Sequence, residues 1–288
     1  MNALLSLRSP RTARIVAVTL LWITRTLASL LVACPLLFAL MGNGLVSGPD
    51  RDASLFQAGA LVLLELLRSG APLLGAAIKV SLLLWGVCAT LALVPLGAAL
   101  DLLQSQEADA LGARTWRGLR LFPRFLALSG IALLAQAALL LAASLLDGAL
   151  SAALQGRDER VLTLVPGLAF GAALLCCGWL GAVLDVARGA VVQRDLGARV
   201  ALAEALSVLR VDPPSVLFGS YPSAAGSLLA WLGALWVLTK LDLESPTTRG
   251  VALAFVVHQV AVLFSLALRV RWLERALALS ARAPSARD

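Results

Sequence analysis

Charged residues along this chain come in short clusters, and between the clusters lie stretches of about twenty apolar residues. A helix of that length covers ~30 Å, the hydrocarbon thickness of a bilayer. Six such stretches can be marked, over residues 15–41, 80–100, 125–146, 161–184, 216–239 and 251–268. Charge bounds them: Lys79 and Asp101 bracket the second, Arg124 and Asp147 the third, Arg160 and Asp185 the fourth. Backbone polar groups find no water at membrane depth, so a spanning segment is a helix or part of a closed barrel. Uninterrupted apolar runs lack the alternation of barrel strands. The pattern predicts an all-α polytopic transmembrane helix bundle of about six spans, a single transmembrane domain over residues 1–288.

Between the spans lie segments of mixed character at 53–68, 102–120 and 188–210, which read as amphipathic helices in the membrane interface. In the last, Val192, Leu196, Val200, Ala203 and Leu206 recur at spacings of four and three, while Arg194, Asp195, Arg199 and Glu204 point elsewhere. Prolines then set corners between interfacial helix and span. Leu7-Arg8 with Pro10, Leu119-Arg120 with Pro123, and Leu209-Arg210 with Pro213 and Pro214 introduce the odd-numbered spans alike. The layout this suggests is three helical hairpins, each led by an interfacial helix.

Composition agrees with hydrocarbon as the solvent: 60% of residues are hydrophobic, 14% are charged and the mean hydropathy is +0.89. The net charge of +7 would suggest nucleic acid in a soluble protein, but its placement gives another reading. Seventeen of the 24 Lys and Arg fall on one side of the six-span topology when Arg25 is counted there. Basic residues near span ends are retained in the cytoplasm, so both termini are expected there, beside an anionic leaflet that attracts each charge by about 1 kcal/mol. That accounts for the excess without nucleic acid. The expected partners are the lipid bilayer and other membrane proteins or a second copy of the chain. Arg outnumbers Lys 22 to 2, in keeping with high-GC bacterial coding, so the expected location is a bacterial inner membrane.

Leu31-Val32-Ala33-Cys34 resembles a lipoprotein cleavage box. Arg25 just upstream and the apolar run through Met41 favour an uncleaved first helix. The four cysteines, Cys34, Cys88, Cys176 and Cys177, all lie in apolar stretches without C-x-x-C spacing and read as buried thiols. No metal-binding H-E-x-x-H, phosphate loop, G-x-S-x-G or paired intramembrane carboxylate is present, so no catalytic, metal or cofactor-binding residue is assigned.

Ionisable and polar groups at membrane depth are the default functional candidates. Arg25 lies about ten residues into the first span, or at its inner interface if that span starts near Thr26, the preferred reading; His258, the only histidine, stands beside Gln259 in the last. Asp101 and Asp185 end the second and fourth spans in equivalent places, which suggests pairing with nearby arginines or helix-end geometry rather than general acid and base work. Small residues mark helix contacts, since close backbone approach is what gains dispersion energy in lipid. Gly167, Gly171 and Gly178 form one such stripe, and Gly219, Ser223, Gly226 and Gly233 another.

The pieces Glu204-Ala205-Leu206-Ser207-Val208-Leu209-Arg210 with Pro213, and Trp116-Arg117-Gly118-Leu119-Arg120 with Pro123, give a layout that resembles the membrane domain attached to some bacterial glycerophosphodiester phosphodiesterases and related six-helix proteins. No stretch here is long enough for the catalytic domain, so the resemblance implies a membrane platform without an active site. Two functions compete: a non-catalytic scaffold or partner subunit of the cell envelope, and a transporter or permease subunit for a small or lipid-like substrate. Transporter spans commonly break at mid-membrane. The central parts of the spans are unbroken apart from Pro95, towards the inner end of the second, and Pro222 in the fifth, which favours the first.

Overall fold

A computed structural model describes residues 10–42, 71–105, 111–153, 159–240 and 248–282; the interfacial helix expected at 53–68 lies outside them. Nine helices are described: α1 (Pro10–Gly42), α2 (Ala71–Leu91), α3 (Leu93–Gln104), α4 (Leu111–Ala153), α5 (Glu159–Arg194), α6 (Ala198–Val211), α7 (Pro213–Leu217), α8 (Tyr221–Lys240) and α9 (Thr248–Ala281). Six stretches are long and apolar enough to cross a membrane: Arg11–Ala39, Leu73–Gln104, Gly112–Ala153, Gly167–Arg194, Pro213–Lys240 and Arg249–Ala281. The described chain is thus an all-α, multi-pass bundle. Consecutive spans pack as hairpins, α1 on α2, α4 on α5 and α8 on α9, and the hairpins meet through α3 on α4, α9 on α5 and α1 on α9.

The helices are longer than a bilayer requires. At 1.5 Å per residue, the 43 residues of α4 extend ~64 Å, about twice the hydrocarbon thickness. The surplus is used at one end of the bundle. The main core unites Leu93 and Leu100 of α3, Leu121, Phe125 and Leu128 of α4, Ala182, Val186, Ala190 and Val191 of α5, Ala201, Ala205 and Val208 of α6, and Trp272, Leu273, Ala276 and Leu277 of α9. A smaller cluster joins Ala17 of α1 to Ala99, Leu102 and Val270. Within the spans, by contrast, only 6% to 22% of each most apolar window is buried, so most span side chains are left for lipid or partners.

Not every proline makes a corner. Pro213 and Pro214 open α7 behind Asp212, whose carboxylate accepts a hydrogen bond from the Ser215 amide at 3.2 Å, and Pro95 sits in the first turn of α3, where a missing N–H leaves nothing unpaired. Pro123 instead lies inside α4, which runs unbroken through it, so the expected division into an interfacial helix at 102–120 and a separate span does not occur. The Pro123 ring is exposed, while Arg114, Leu121, Phe125 and Leu128 hold the same helix to the core. That packing outweighs a proline penalty of ~3 kcal/mol.

The 188–210 segment also divides differently. Residues 188–194 complete α5, residues 195–197 turn the chain, and only then does α6 begin at Ala198. Asp195 makes the turn in the left-handed region with φ 52°, a conformation that Asp adopts more readily than most residues. On α6 the apolar stripe Val200, Ala203 and Leu206 is exposed, and the adjacent face of Ala201, Glu204, Ala205 and Val208 is the one buried.

Candidate functional site

Asp185, 1% exposed, is the centre of a polar node that ties three hairpin helices together. On its own helix, Arg188 Nη1 donates to its Oδ1 at 3.2 Å. From α9, Arg269 grips both carboxylate oxygens, Nη2 to Oδ1 at 2.8 Å and Nη1 to Oδ2 at 2.7 Å, and Trp272 Nε1 donates to Oδ2 at 2.8 Å. Arg188 reaches on to Ser129 Oγ of α4 at 2.8 Å and stands 5.9 Å over the Phe125 ring. A carboxylate gripped bidentately by one arginine and bonded by another has its acceptor positions occupied and is poorly placed for proton transfer. The node contains two guanidiniums and one carboxylate, a surplus of one positive charge.

Asp101 occupies the equivalent place at the end of α3 and meets arginines in the same way. Arg117 Nη1 lies 3.5 Å from its Oδ1 and Arg114 Nη1 3.8 Å from its Oδ2. Arg114 is fully buried and also donates to Ser105 Oγ at 2.7 Å. Further polar contacts link the same end of the molecule. Arg194 pairs with Glu204 at 2.9 Å and with the Ser280 carbonyl, Arg124 pairs with Asp195, Arg14 pairs with Glu274, and Gln193 Nε2 donates to the Leu277 carbonyl at 2.8 Å. Arg124 lowers the Asp195 carboxyl below its ordinary range, chiefly through their hydrogen bond, and the bonds from Ser215 do the same for Asp212.

The other polar candidates lie farther along the spans, and the structure does not bring them together. Gln259 Oε1 accepts from Trp22 Nε1 at 2.9 Å, joining α9 to α1. His258 is exposed and meets the Trp231 ring edge-on, with centroids 5.1 Å apart, joining α9 to α8. Gln136 Nε2 donates to the Cys177 carbonyl at 3.2 Å. All four cysteines are free thiols, Cys34 exposed and the others half-buried. Among the described residues, no group of three or more His, Cys, Asp or Glu side chains could hold a metal ion.

Arg25 is different. It is exposed, without an ion-pair or hydrogen-bond partner among the described residues, and it lines an open cleft of about 700 Å³ between α1 and α2–α3, closed on one side by α9. Arg269 lines the same cleft, along with Thr24, Ser29, Leu36, Trp85 and Leu266. On its other side Arg269 borders a smaller cavity of about 240 Å³ with Asp185, Ser220, Tyr221 and Ser223. An apolar cavity of about 650 Å³ lies between α4, α5 and α6 beside Trp179, Leu202 and Leu206.

The small-residue stripes divide in two. A Cβ added at Gly219 would lie 2.2 Å from the Ser215 carbonyl and 2.8 Å from the Trp272 ring, and one at Gly226 would lie 2.6 Å from Leu268 Cδ1. Ser223 Oγ donates to the Ser220 carbonyl at 2.6 Å. Gly167, Gly171, Gly178 and Gly233 face open space, with no heavy atom within 4 Å of an added Cβ. A tight crossing occurs at two glycines outside both stripes: a Cβ on Gly118 would fall 2.5 Å from the Val94 carbonyl, and one on Gly97 would fall 3.1 Å from Gly118 Cα.

Sequence reasoning singled out Asp185 but not Arg269 or Trp272, which lie 84 and 87 residues away. The only local signal was the i, i+3 spacing of Asp185 and Arg188. No protein-family model matches this chain, nor does any curated protein or solved structure.

Proposed function

We propose that this chain is a non-catalytic scaffold or partner subunit of a bacterial inner membrane, with its arginine-rich end and both termini in the cytoplasm. What carries this reading is the uneven use of the helices. One end is locked by ion pairs between hairpins, while large apolar side chains along the spans, such as Leu134 at 75% and Leu229 at 68% exposure, remain uncovered. The carboxylates most suited by burial to acid or base work, Asp101 and Asp185, are committed to arginines. The resemblance to phosphodiesterase-linked membrane domains points the same way.

The test is in-cell photocrosslinking from Leu134 and Leu229. Discrete adducts with other membrane proteins or with a second copy are expected; adducts with lipid alone would overturn the proposal. Labelling of a cysteine placed at Arg282 should succeed only once the cytoplasmic side is opened.

A transporter or permease subunit is the second reading, favoured by Arg269 standing as a wall between the α1–α2 cleft and the smaller polar cavity. It requires solute flux in vesicles that contain this chain.

A further inference from the structure

An arginine inside a membrane span is costly unless its charge is met, and the fixed fork of a guanidinium matches a phosphate as well as it does a carboxylate. Arg25 lies within the Arg11–Ala39 span, ~22 Å along α1 from Pro10 at 1.5 Å per residue. No acidic side chain among the described residues meets it, although Asp185 is claimed twice over on the far side of Arg269.

We propose that the cleft between α1 and α2–α3 binds an anionic phospholipid of the surrounding bilayer, its phosphate between Arg25 and Arg269 and an acyl chain along the apolar wall beyond them. Three observations lead to this occupant, independently of the scaffold reading. Charge is the first: the Asp185 node has one positive charge in excess and Arg25 adds another, so the arginine end of the cleft is matched by an anion. Arg269 keeps 43% of its side chain exposed even while it grips Asp185, leaving donors for a second acceptor.

Shape is the second. Past Arg25 the walls turn apolar, with Val32, Leu36, Trp85 and Leu266, and small residues such as Ala28 and Ala89 leave the space open. From Leu21 to Leu36 the cleft follows α1 for ~22 Å, close to half of the ~40–45 Å that a bilayer measures with its headgroups. The third is capacity: about 700 Å³ suits a drug-sized ligand or a large part of a lipid, far more than a bare anion fills.

The experiment compares the purified, delipidated chain in detergent with phosphatidylglycerol, with phosphatidylcholine of the same acyl chains, and with inorganic phosphate, reading affinity by native mass spectrometry and by the shift in Tm. Phosphatidylglycerol should bind roughly tenfold more tightly than phosphatidylcholine, and Arg25→Gln should remove that preference. Arg25 makes no described contact, so this variant is expected to stay folded and monodisperse. Ala89→Trp should block the cleft and weaken both lipids without altering either arginine; if it aggregates, Arg25→Gln decides alone. Equal binding of the two lipids to the wild type, an undiminished preference in Arg25→Gln, or a shift with inorganic phosphate as large as with phosphatidylglycerol would each overturn the proposal.

Discussion

The two ends of α5 differ in what surrounds them. Residues 185–191 are buried without exception, and Asp185 alone is bonded by three side chains from two helices. Towards the other end, Leu168, Leu174 and Leu175 are at least half exposed, and Gly167, Gly171 and Gly178 have nothing against them. The contrast shows where association free energy comes from in a membrane. Leucine gains little by leaving lipid for another leucine, so apolar faces alone do not draw spans together. Tight contact forms where charge must be neutralised or where small residues let backbones approach, and both conditions are met at the arginine-rich end.

The largest test of that contrast is Asp185→Asn. It leaves Arg188 and Arg269 facing each other without a counter-charge, and breaking a buried pair of this kind costs ~3–5 kcal/mol. Folded yield and Tm in detergent should fall sharply, whereas His258→Ala, at an exposed edge contact, should change neither measurably.

Glycines sharpen the comparison at smaller magnitude. Gly118→Ala drives a methyl group into the Val94 carbonyl, a backbone atom that cannot turn aside, so α3 and α4 must separate at ~1–3 kcal/mol. Gly178→Ala enters open space and should stay within ~0.5 kcal/mol of the parent. Gly226→Ala falls between them, because the atom it meets is the tip of the flexible Leu268 side chain. Thermal unfolding of the three variants side by side gives the order, and a Gly178→Ala loss as large as that of Gly118→Ala would refute it.

The smallest expected effect is at the turn before α6. The Asp195 carboxyl titrates below its ordinary 3.8 when folded, so its pair with Arg124 stabilises the fold above about that pH and is lost as pH falls through the folded value. Between pH 6 and pH 3 the wild-type Tm should therefore drop slightly more than that of Asp195→Asn. Raised salt should narrow the gap, since both groups are solvent-accessible. A gap that persists in high salt would point to a structural role for the carboxylate in the left-handed turn.

The spans were legible because hydrocarbon acts on each stretch of about twenty residues separately. Local signals failed where neighbours intervened. Pro123 carried a sound corner signal, but buried Phe125 and Leu128 kept α4 whole through it. The stripe Val200, Ala203 and Leu206 was periodic as read and lies exposed, as an interfacial helix requires, but which residues of α6 enter the core was not legible: Glu204 turns inward to Arg194, with Ala201 and Val208 buried beside it. For the candidate site, the sequence pointed to Arg25, Asp101 and Asp185 one at a time, as ionisable groups in apolar surroundings.

The amino-acid order by itself determined solvent, helical class, the number of long apolar spans and the clustering of arginine, since each is a property of contiguous residues. Only the tertiary structure decided that Asp185 meets Arg269, that Gly118 meets Val94, and that Arg25 and Arg269 face one cleft. Those pairings depend on how helices from different hairpins cross. A crossing is set by charge neutralisation and close backbone contact between residues far apart in the chain, and no local window of sequence contains both partners.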